Sequence, residues 1–508
     1  MPRSTGPASE PWVLAASILG SSMAFIDGTV VNVALPVLQK ALGATAIEVQ
    51  WVVESYALSL ASLLLLGGAL ADRLGRRRIF ALGVSLFALA SIGCAVAPNI
   101  RWLIAARAVQ GLGGALLVPI SLALLSACFP PERRGRAIGK WSAFSAAAAG
   151  IGPVLGGWLV QAGSWRWVFW INVPIAAVTL GITWRRVPES RAPGAGPRLD
   201  LVGACLATLG LGGLVFGLLE APQLGFRHPL IIGALVGAAV SLAAFVFVEA
   251  RSPDPMLPLD LFRSPTFSGA NLLTLLLYAA VGGCFFFLPF DLIQVHHYRP
   301  AQAGAALLPL IVLLSLLSGP AGKLVDRYGA RKPLIVGPVI AALGLGLLTL
   351  PGTGGSYWTT FFPGVTVLGL GMAVTVAPLT TAVMAAAGPE RAGLASGVNN
   401  AVSRTASLLA IAVFGIVAYA RFSQSLARRL DELGVPPEIR RLLAEERGRL
   451  AAARVPPSLP PALQQAIQDA IGNAFVDAFR LDMLLAAGLA GAAAVTAWWL
   501  IRREPQSR

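Results

Sequence analysis

Three ionisable residues that stand inside long apolar stretches are the first candidates for chemistry: Asp27, Glu54 and Arg107. A charge in hydrocarbon is costly, so such residues usually serve a function. Counted at ~1.5 Å per residue from the ends of their stretches, all three fall at a similar depth. Desolvation favours the protonated form of a carboxylic acid and a nearby arginine favours the ionised form. A change between these environments would load and unload a proton. The alternative is a permanent ion pair of Arg107 with one acid.

The composition of the surrounding chain indicates a membrane protein. Of 508 residues, 56% are hydrophobic and 12% are charged, and the mean hydropathy is +0.73, which excludes an ordinary soluble domain. The net charge of +15 would suit nucleic acid if it formed one patch. The basic residues instead recur in short runs between apolar stretches, which predicts membrane orientation and a lipid bilayer, not nucleic acid, as the partner.

Fourteen apolar segments approach the ~20 residues that cross a bilayer. Numbered in chain order, they are 12–38, 49–71, 79–98, 101–128, 137–162, 166–184, 199–219, 230–249, 268–291, 302–322, 333–350, 360–387, 392–420 and 479–501. With the N-terminus placed inside, 23 Lys and Arg fall in inner loops and 5 in short outer loops. This bias predicts that both termini are cytoplasmic.

The turn 68–78, which follows segment 2, is repeated at 322–332 after segment 10. Both copies carry Gly, then Asp four residues later, the adjacent Arg, a second Gly and paired basic residues. The repeat predicts an all-α protein of two six-helix bundles, with domains at 1–190 and 264–508 and two inserted helices in 191–263. The spacing favours a conformational latch over simple anchoring. Its candidate residues are Gly68, Asp72, Arg73, Gly75, Arg76, Arg77, Asp326 and Arg327. If segment 2 is one straight helix, Glu54 and Asp72 share a face roughly 27 Å apart.

Two further segments carry residues of interest. In segment 5, Gly152, Gly156 and Gly157 surround Pro153, a pattern that allows helices to touch and kinks the helix, with plain packing as the alternative. Segment 13 contains Asn399, Asn400 and Arg404, which we expect to face a cavity or a neighbouring helix.

The outer side has one large predicted piece and several isolated polar residues. Residues 421–478 show leucines at helical spacing between prolines, which predicts short amphipathic helices outside the membrane. They would serve as a connector, or as a lid or docking element for an envelope adaptor protein. Asp291 is expected at the interface. The histidines, His228, His296 and His297, map to outer loops.

Four motifs together resemble the fourteen-helix drug:proton antiporter branch of the major facilitator superfamily. They are IDGTVVNVALP (26–36), GGALADRLGRRR (67–78), LIAARAVQGLGGA (103–115) and GIGPVLGGW (150–158). The resemblance implies a role of Asp27 and Arg107 in proton transfer, protons as the coupling ion without another cofactor or metal, and a bacterial inner-membrane location. It implies efflux of amphipathic cationic or neutral compounds by alternating access. Export of a lipid, lipopeptide or native metabolite is the alternative, and an enzyme is not expected because no nucleophile or metal cluster is visible.

Overall fold

The computed structural model describes residues 10–191, 200–253, 255, 257–388 and 391–502, and its regular elements there are helical. The α-helices are α1 (Glu10–Leu42), α2 (Ala46–Leu74), α3 (Arg76–Ala95), α4 (Ile100–Cys128), α5 (Pro131–Ala162), α6 (Trp167–Trp170), α7 (Asn172–Arg186), α8 (Leu201–Leu224), α9 (Pro229–Glu249), α10 (Pro265–Phe290), α11 (Pro300–Ala305), α12 (Leu308–Tyr328), α13 (Arg331–Leu347), α14 (Tyr357–Ala387), α15 (Ala392–Glu432), α16 (Pro437–Glu446) and α17 (Pro461–Leu500). Two 3₁₀ helices (Leu259–Arg263 and Arg447–Ala452) and one π-helical turn (Asp291–Val295) complete the set.

The all-α, multi-pass fold predicted from the sequence is confirmed. Within the described residues, twelve helices are long and apolar enough to cross a membrane, or thirteen if the two arms of α2 count as one span. The helix α13 is apolar but has 17 residues, which is slightly short of a full crossing. The predicted count of fourteen is compatible with these helices.

The helix α2 is bent, so the prediction that Glu54 and Asp72 share one face of a straight helix is wrong. Its two arms, Ala46–Leu64 and Leu66–Leu74, meet at 54°. Two glycines follow the bend, and such pairs are a common cause of kinks. A Cβ at Gly67 would lie 2.4 Å from the carbonyl oxygen of Ala115 on α4, whereas Gly68 has its nearest neighbour at 4.0 Å. The close approach to α4 is therefore made by Gly67, whereas the latch candidate Gly68 has room for a side chain.

The chain divides into two compact units. The first comprises Met1–Ala34, Trp51–Leu214 and Gly233–Pro258, and the second comprises Leu35–Gln50, Val215–Ile232 and Leu259–Arg508. The second unit thus includes the end of α1 and the start of α2. The three-domain division drawn from the sequence repeat remains a prediction.

The same helix pairing occurs in each unit and depends on glycine. In the first, α3 lies along α4, and a Cβ at Gly113 would meet the backbone nitrogen of Phe87 at 2.6 Å. In the second, α13 lies along α14, and a Cβ at Gly344 would meet the backbone nitrogen of Leu368 at 2.3 Å. These close approaches require the absence of a side chain. The pair of predicted segments 3 and 4 therefore packs through a glycine, as does the pair of segments 11 and 12.

The repeated turn has the same backbone form in both copies. Gly75 joins α2 to α3 with φ 113°, and Gly329 joins α12 to α13 with φ 71°. Only glycine adopts such angles without strain, which explains its recurrence. Arg327 lies over the ring of Tyr328, 5.3 Å from its centroid. The side chain of Asp326 lies outside the described residues.

Both ends of the predicted loop 421–478 belong to long helices, with residues 421–432 in α15 and residues 461–478 in α17. The helix α15 has 41 residues and α17 has 40. At ~1.5 Å per residue, α15 is about 60 Å long, twice the thickness of a hydrocarbon core. Leu426 and Leu430, one helical turn apart, are buried and continue α15 past the predicted boundary. Only 433–460, which holds the prolines, forms the shorter helices that were expected, namely α16 and the 3₁₀ helix.

Candidate functional site

A buried ion pair joins α1 to α4 in the first unit. Asp27 is 0% exposed and Arg107 is 1% exposed, and Nη1 of Arg107 donates to Oδ2 of Asp27. The other carboxylate oxygen, Oδ1, accepts from Nε2 of Gln110 at 2.8 Å and from Nδ2 of Asn172 at 3.1 Å. A buried charge needs this kind of pairing and hydrogen bonding to be tolerated. Asp27 is therefore stabilised as a carboxylate.

Arg107 is held in place from α2 as well. Its Nε donates to the carbonyl oxygen of Val52 at 3.1 Å, and its Nη1 also donates to Oε1 of Gln110 at 2.8 Å. The guanidinium carbon lies 4.1 Å from the ring centroid of Tyr56, a cation–π contact that is strong when water is excluded. A movement of α2 relative to α4 would therefore disturb Arg107 directly.

Three polar residues that sequence reasoning missed complete this network: Gln110, Asn172 and Ser91. Oγ of Ser91 accepts from Asn172 at 3.0 Å and donates to the carbonyl oxygen of Phe169 at 2.8 Å. Gln110 had a sequence signal, because it stands three residues after Arg107 and so shares its helix face. Asn172 and Ser91 had none, since they come from helices distant in the chain.

Glu54 is buried apart from this pair. It is 0% exposed, and neither carboxylate oxygen has a hydrogen-bond partner among the residues that the structure describes. Glu54 stands midway between Val52 and Tyr56, and at ~100° per residue its side chain points roughly 200° away from that of Tyr56. The structure thus brings together two of the three predicted ionisable residues and leaves the third without a partner.

The glycine and proline residues of α5 fix the part of α1 that carries Asp27. Pro153 has no N–H to offer the carbonyl oxygen of Ala149, and Oγ1 of Thr29 donates to that oxygen instead at 3.0 Å. A Cβ at Gly152 would lie 1.9 Å from Oγ1 of Thr29, and one at Gly156 would lie 2.5 Å from the carbonyl oxygen of Val30. Gly157 is also buried. The close contact begins two residues beyond Asp27.

Replacing Gly156 with leucine is expected to push α1 away from α5, because the backbone oxygen of Val30 cannot yield as a flexible side chain would. Overpacking of this kind costs about 1–3 kcal/mol or more. We expect a lower melting temperature in detergent and loss of transport. Gly181→Leu is the matched control, since a Cβ there meets nothing within 4 Å. An unchanged melting temperature in Gly156→Leu would contradict the packing role.

The turn 68–78, which was predicted to be a latch, is held by a second acid that the sequence did not reveal. Asp72 accepts from Nε and Nη2 of Arg76 at 2.9 and 2.7 Å. Glu189, beyond α7, accepts from the backbone N–H of Arg77 at 3.0 Å, a favourable place for an anion at the start of α3. Arg73 is exposed. The latch role itself remains a prediction.

The polar candidates of α15 lie in the second unit. Nδ2 of Asn399 donates to Oγ1 of Thr274 at 2.6 Å and to Oδ1 of Asn271 at 3.1 Å, both on α10. Asn400 is exposed and Arg404 is half-buried. Asn399 therefore joins two helices, and Asn400 is the candidate that remains accessible.

Comparisons with known proteins agree with this architecture. The family model "Major Facilitator Superfamily" matches residues 17–411. "Multidrug resistance protein Stp" of Mycobacterium tuberculosis is 39% identical over 85% of this chain and 80% of its own length. "Tetracenomycin C resistance and export protein" of Streptomyces glaucescens is 32% identical over 99% of this chain and 94% of its own. A solved bacterial homolog of the human lysosomal transporter Spinster has a TM-score of 0.66 at 19% identity, and the match covers 98% of this chain and all of that one.

Long apolar helices in two units, with ionisable groups buried in both, are typical of a multi-pass membrane transporter. The family model and the relatives match most of the length of this chain, which therefore belongs to the major facilitator superfamily.

Proposed function

We propose that this protein is a proton-coupled multidrug exporter that exchanges protons for amphipathic compounds by alternating access. The observation that carries the proposal is that two buried acids have different surroundings. Asp27 is neutralised by Arg107, whereas Glu54, equally buried, has no hydrogen-bond partner within the described part of the chain. Two acids in such different environments are suited to hold different numbers of protons at one pH.

The proton cycle follows from the costs of burying charge. An unpaired carboxylate in a dry interior is very unfavourable, so Glu54 carries its proton in this conformation. Asp27 needs no proton while Arg107 donates to it. A shift of α2 carries Val52 and Tyr56 with it and so loosens Arg107, after which Asp27 takes up a proton. Alternating access supplies this kind of helix movement.

The substrate class is proposed from both charge and relatives. Because Arg107 neutralises Asp27, Glu54 is the acid that could attract a lipophilic cation after it loses its proton. Neutral compounds would not be repelled by either acid. Relatives named for multidrug resistance support this class. Export of a native metabolite is the second candidate, because the relative named for tetracenomycin C resistance and export matches 99% of the chain.

The orientation is proposed from the Lys and Arg bias, which places both termini in the cytoplasm of a bacterial inner membrane. Residues 433–460 would then lie on the outer side, where an envelope adaptor protein could dock.

The test is transport by purified protein in proteoliposomes with an imposed pH gradient and a panel of cationic, neutral and anionic amphiphiles. We expect substrates to move against the proton flux and to dissipate the gradient as they do so. Transport that is unaffected when an ionophore collapses the gradient would refute proton coupling. A panel in which only one metabolite class is moved would favour the second candidate.

A further inference from the structure

The end of α10 carries an irregular turn in the second unit. Helical hydrogen bonding changes from α to π over Asp291–Val295, and His297 then has φ 56°. Turns of the π type occur often at functional sites, and a non-glycine residue at positive φ is strained. Both irregularities fall within seven residues, so this segment warrants a functional explanation.

The turn buries an acid and a histidine that the sequence placed at the surface. The side chain of Asp291 is 2% exposed and that of His296 is 3% exposed. Oδ2 of Asp291 lies 3.6 Å from Nε2 of His296, just beyond hydrogen-bond distance. Over the described ranges, neither Oδ1 of Asp291 nor Nε2 of His296 has a hydrogen-bond partner. Asp291 is therefore enclosed by protein rather than exposed as expected, and its carboxylate faces a ring nitrogen of His296.

One positive charge stands near this pair. Arg480 on α17 donates to the carbonyl oxygen of Pro351 at 3.0 Å and attracts Asp291 electrostatically. The ring of His296 packs edge-on against Phe361, with centroids 4.9 Å apart, and burial lowers the pKa of His296.

Other titratable groups come from each element around the turn. Tyr298 interacts with the charge of Asp291, and His297 adjoins His296. Arg449 in the 3₁₀ helix is already paired with Glu446 at 2.8 Å. Asp482 on α17, two residues beyond Arg480, is fully buried. Arg480 is thus the cation that the structure offers to Asp291.

The opposite side of the turn forms part of a cavity. This cavity of about 1150 Å³ lies within the second unit and is lined by Ile293, Gln294, Val295 and His297 from the turn, and by Gly472 and Asn473 from α17. The lining residues Val295 and His297 flank His296 in the chain, so the buried pair lies beside the cavity wall.

We propose that Asp291 and His296 form a second proton-binding site, which takes up one proton between Oδ2 and Nε2 from the adjacent cavity. In the protonated state the proton lies between the two acceptors after a small rotation of the imidazole. In the deprotonated state the carboxylate is balanced by Arg480, so neither state leaves an unopposed negative charge. As a coupling site it rests on the proposed function, whereas proton binding itself does not.

The test counts protons taken up by purified protein in unbuffered detergent solution, between about pH 8 and pH 5, where histidine-coupled sites titrate. Asp291→Asn should take up about one proton fewer than the wild type, and His296→Asn should lower the uptake or displace it from this range. His296→Asn also provides the test if Asp291→Asn does not fold. The matched control is Asp469→Asn, which removes an exposed acid from the same cavity wall and should match the wild type.

Two outcomes separate this proposal from the proposed function. Unchanged proton uptake in both Asp291→Asn and His296→Asn would overturn the site, even if substrate still drives proton release. Reduced uptake in these variants, together with a wild type that releases no proton on substrate addition, would support the site and refute proton-coupled export.

Discussion

Asp27→Asn is expected to abolish proton-driven transport, with a rate at least about 100-fold below the wild type, the scale on which a positioned acid or base contributes. An amide cannot take up or release a proton, yet it retains an oxygen that can accept from Gln110 or Asn172. The replacement also leaves the charge of Arg107 unopposed, and breaking a buried pair costs about 3–5 kcal/mol. We therefore expect a lower melting temperature in a protein that still inserts into the membrane.

The measurement is uptake into proteoliposomes under an imposed pH gradient, with membrane insertion checked separately. Ser91→Ala is the control, because Ser91 belongs to the same hydrogen-bond network but cannot carry a proton under these conditions. It should lose far less activity than Asp27→Asn. Wild-type transport by Asp27→Asn under the imposed pH gradient would exclude Asp27 from coupling.

Some of the site could be predicted because buried charge is conspicuous in an apolar sequence. Asp27, Glu54 and Arg107 each interrupt a long hydrophobic run, and their depth follows from counting residues. The repeated glycine at the turn could also be found, since its position recurs with Asp and Arg at fixed spacing. Such signals are local in the chain, so they can be recognised from the sequence alone.

The rest of the site and of the fold could not be predicted, because it depends on which helices pack together. Residue spacing within one segment does not contain that information. Ser91 and Asn172 are ordinary polar residues until α3 and α7 place them beside Asp27. The close contact of Gly67 with Ala115 involves α4, whose position beside α2 the local sequence does not specify. Asp291 was expected at an interface because it ends an apolar run, yet the π-helical turn directs it inward against His296.

Glu54→Gln separates the coupling role from a purely structural ion pair, which was the alternative left open by the sequence. Neither carboxylate oxygen of Glu54 has a hydrogen-bond partner among the described residues, so the isosteric amide loses no hydrogen bond seen there. We expect the melting temperature to stay within a few degrees of the wild type, in contrast to Asp27→Asn. Transport driven by a pH gradient should nevertheless be lost, because the proton that Glu54 carries is no longer exchangeable.

The decisive comparison is the number of protons released per protein when substrate is added to the two variants and the wild type. If Glu54 holds the proton in this conformation, Glu54→Gln should release none while still binding substrate. If instead Glu54→Gln releases protons as the wild type does, the acid is a buried neutral group without a role in coupling. The released proton would then have to come from another group, and the transport rate of Asp27→Asn would decide whether Asp27 and Arg107 couple proton movement or act as a structural pair.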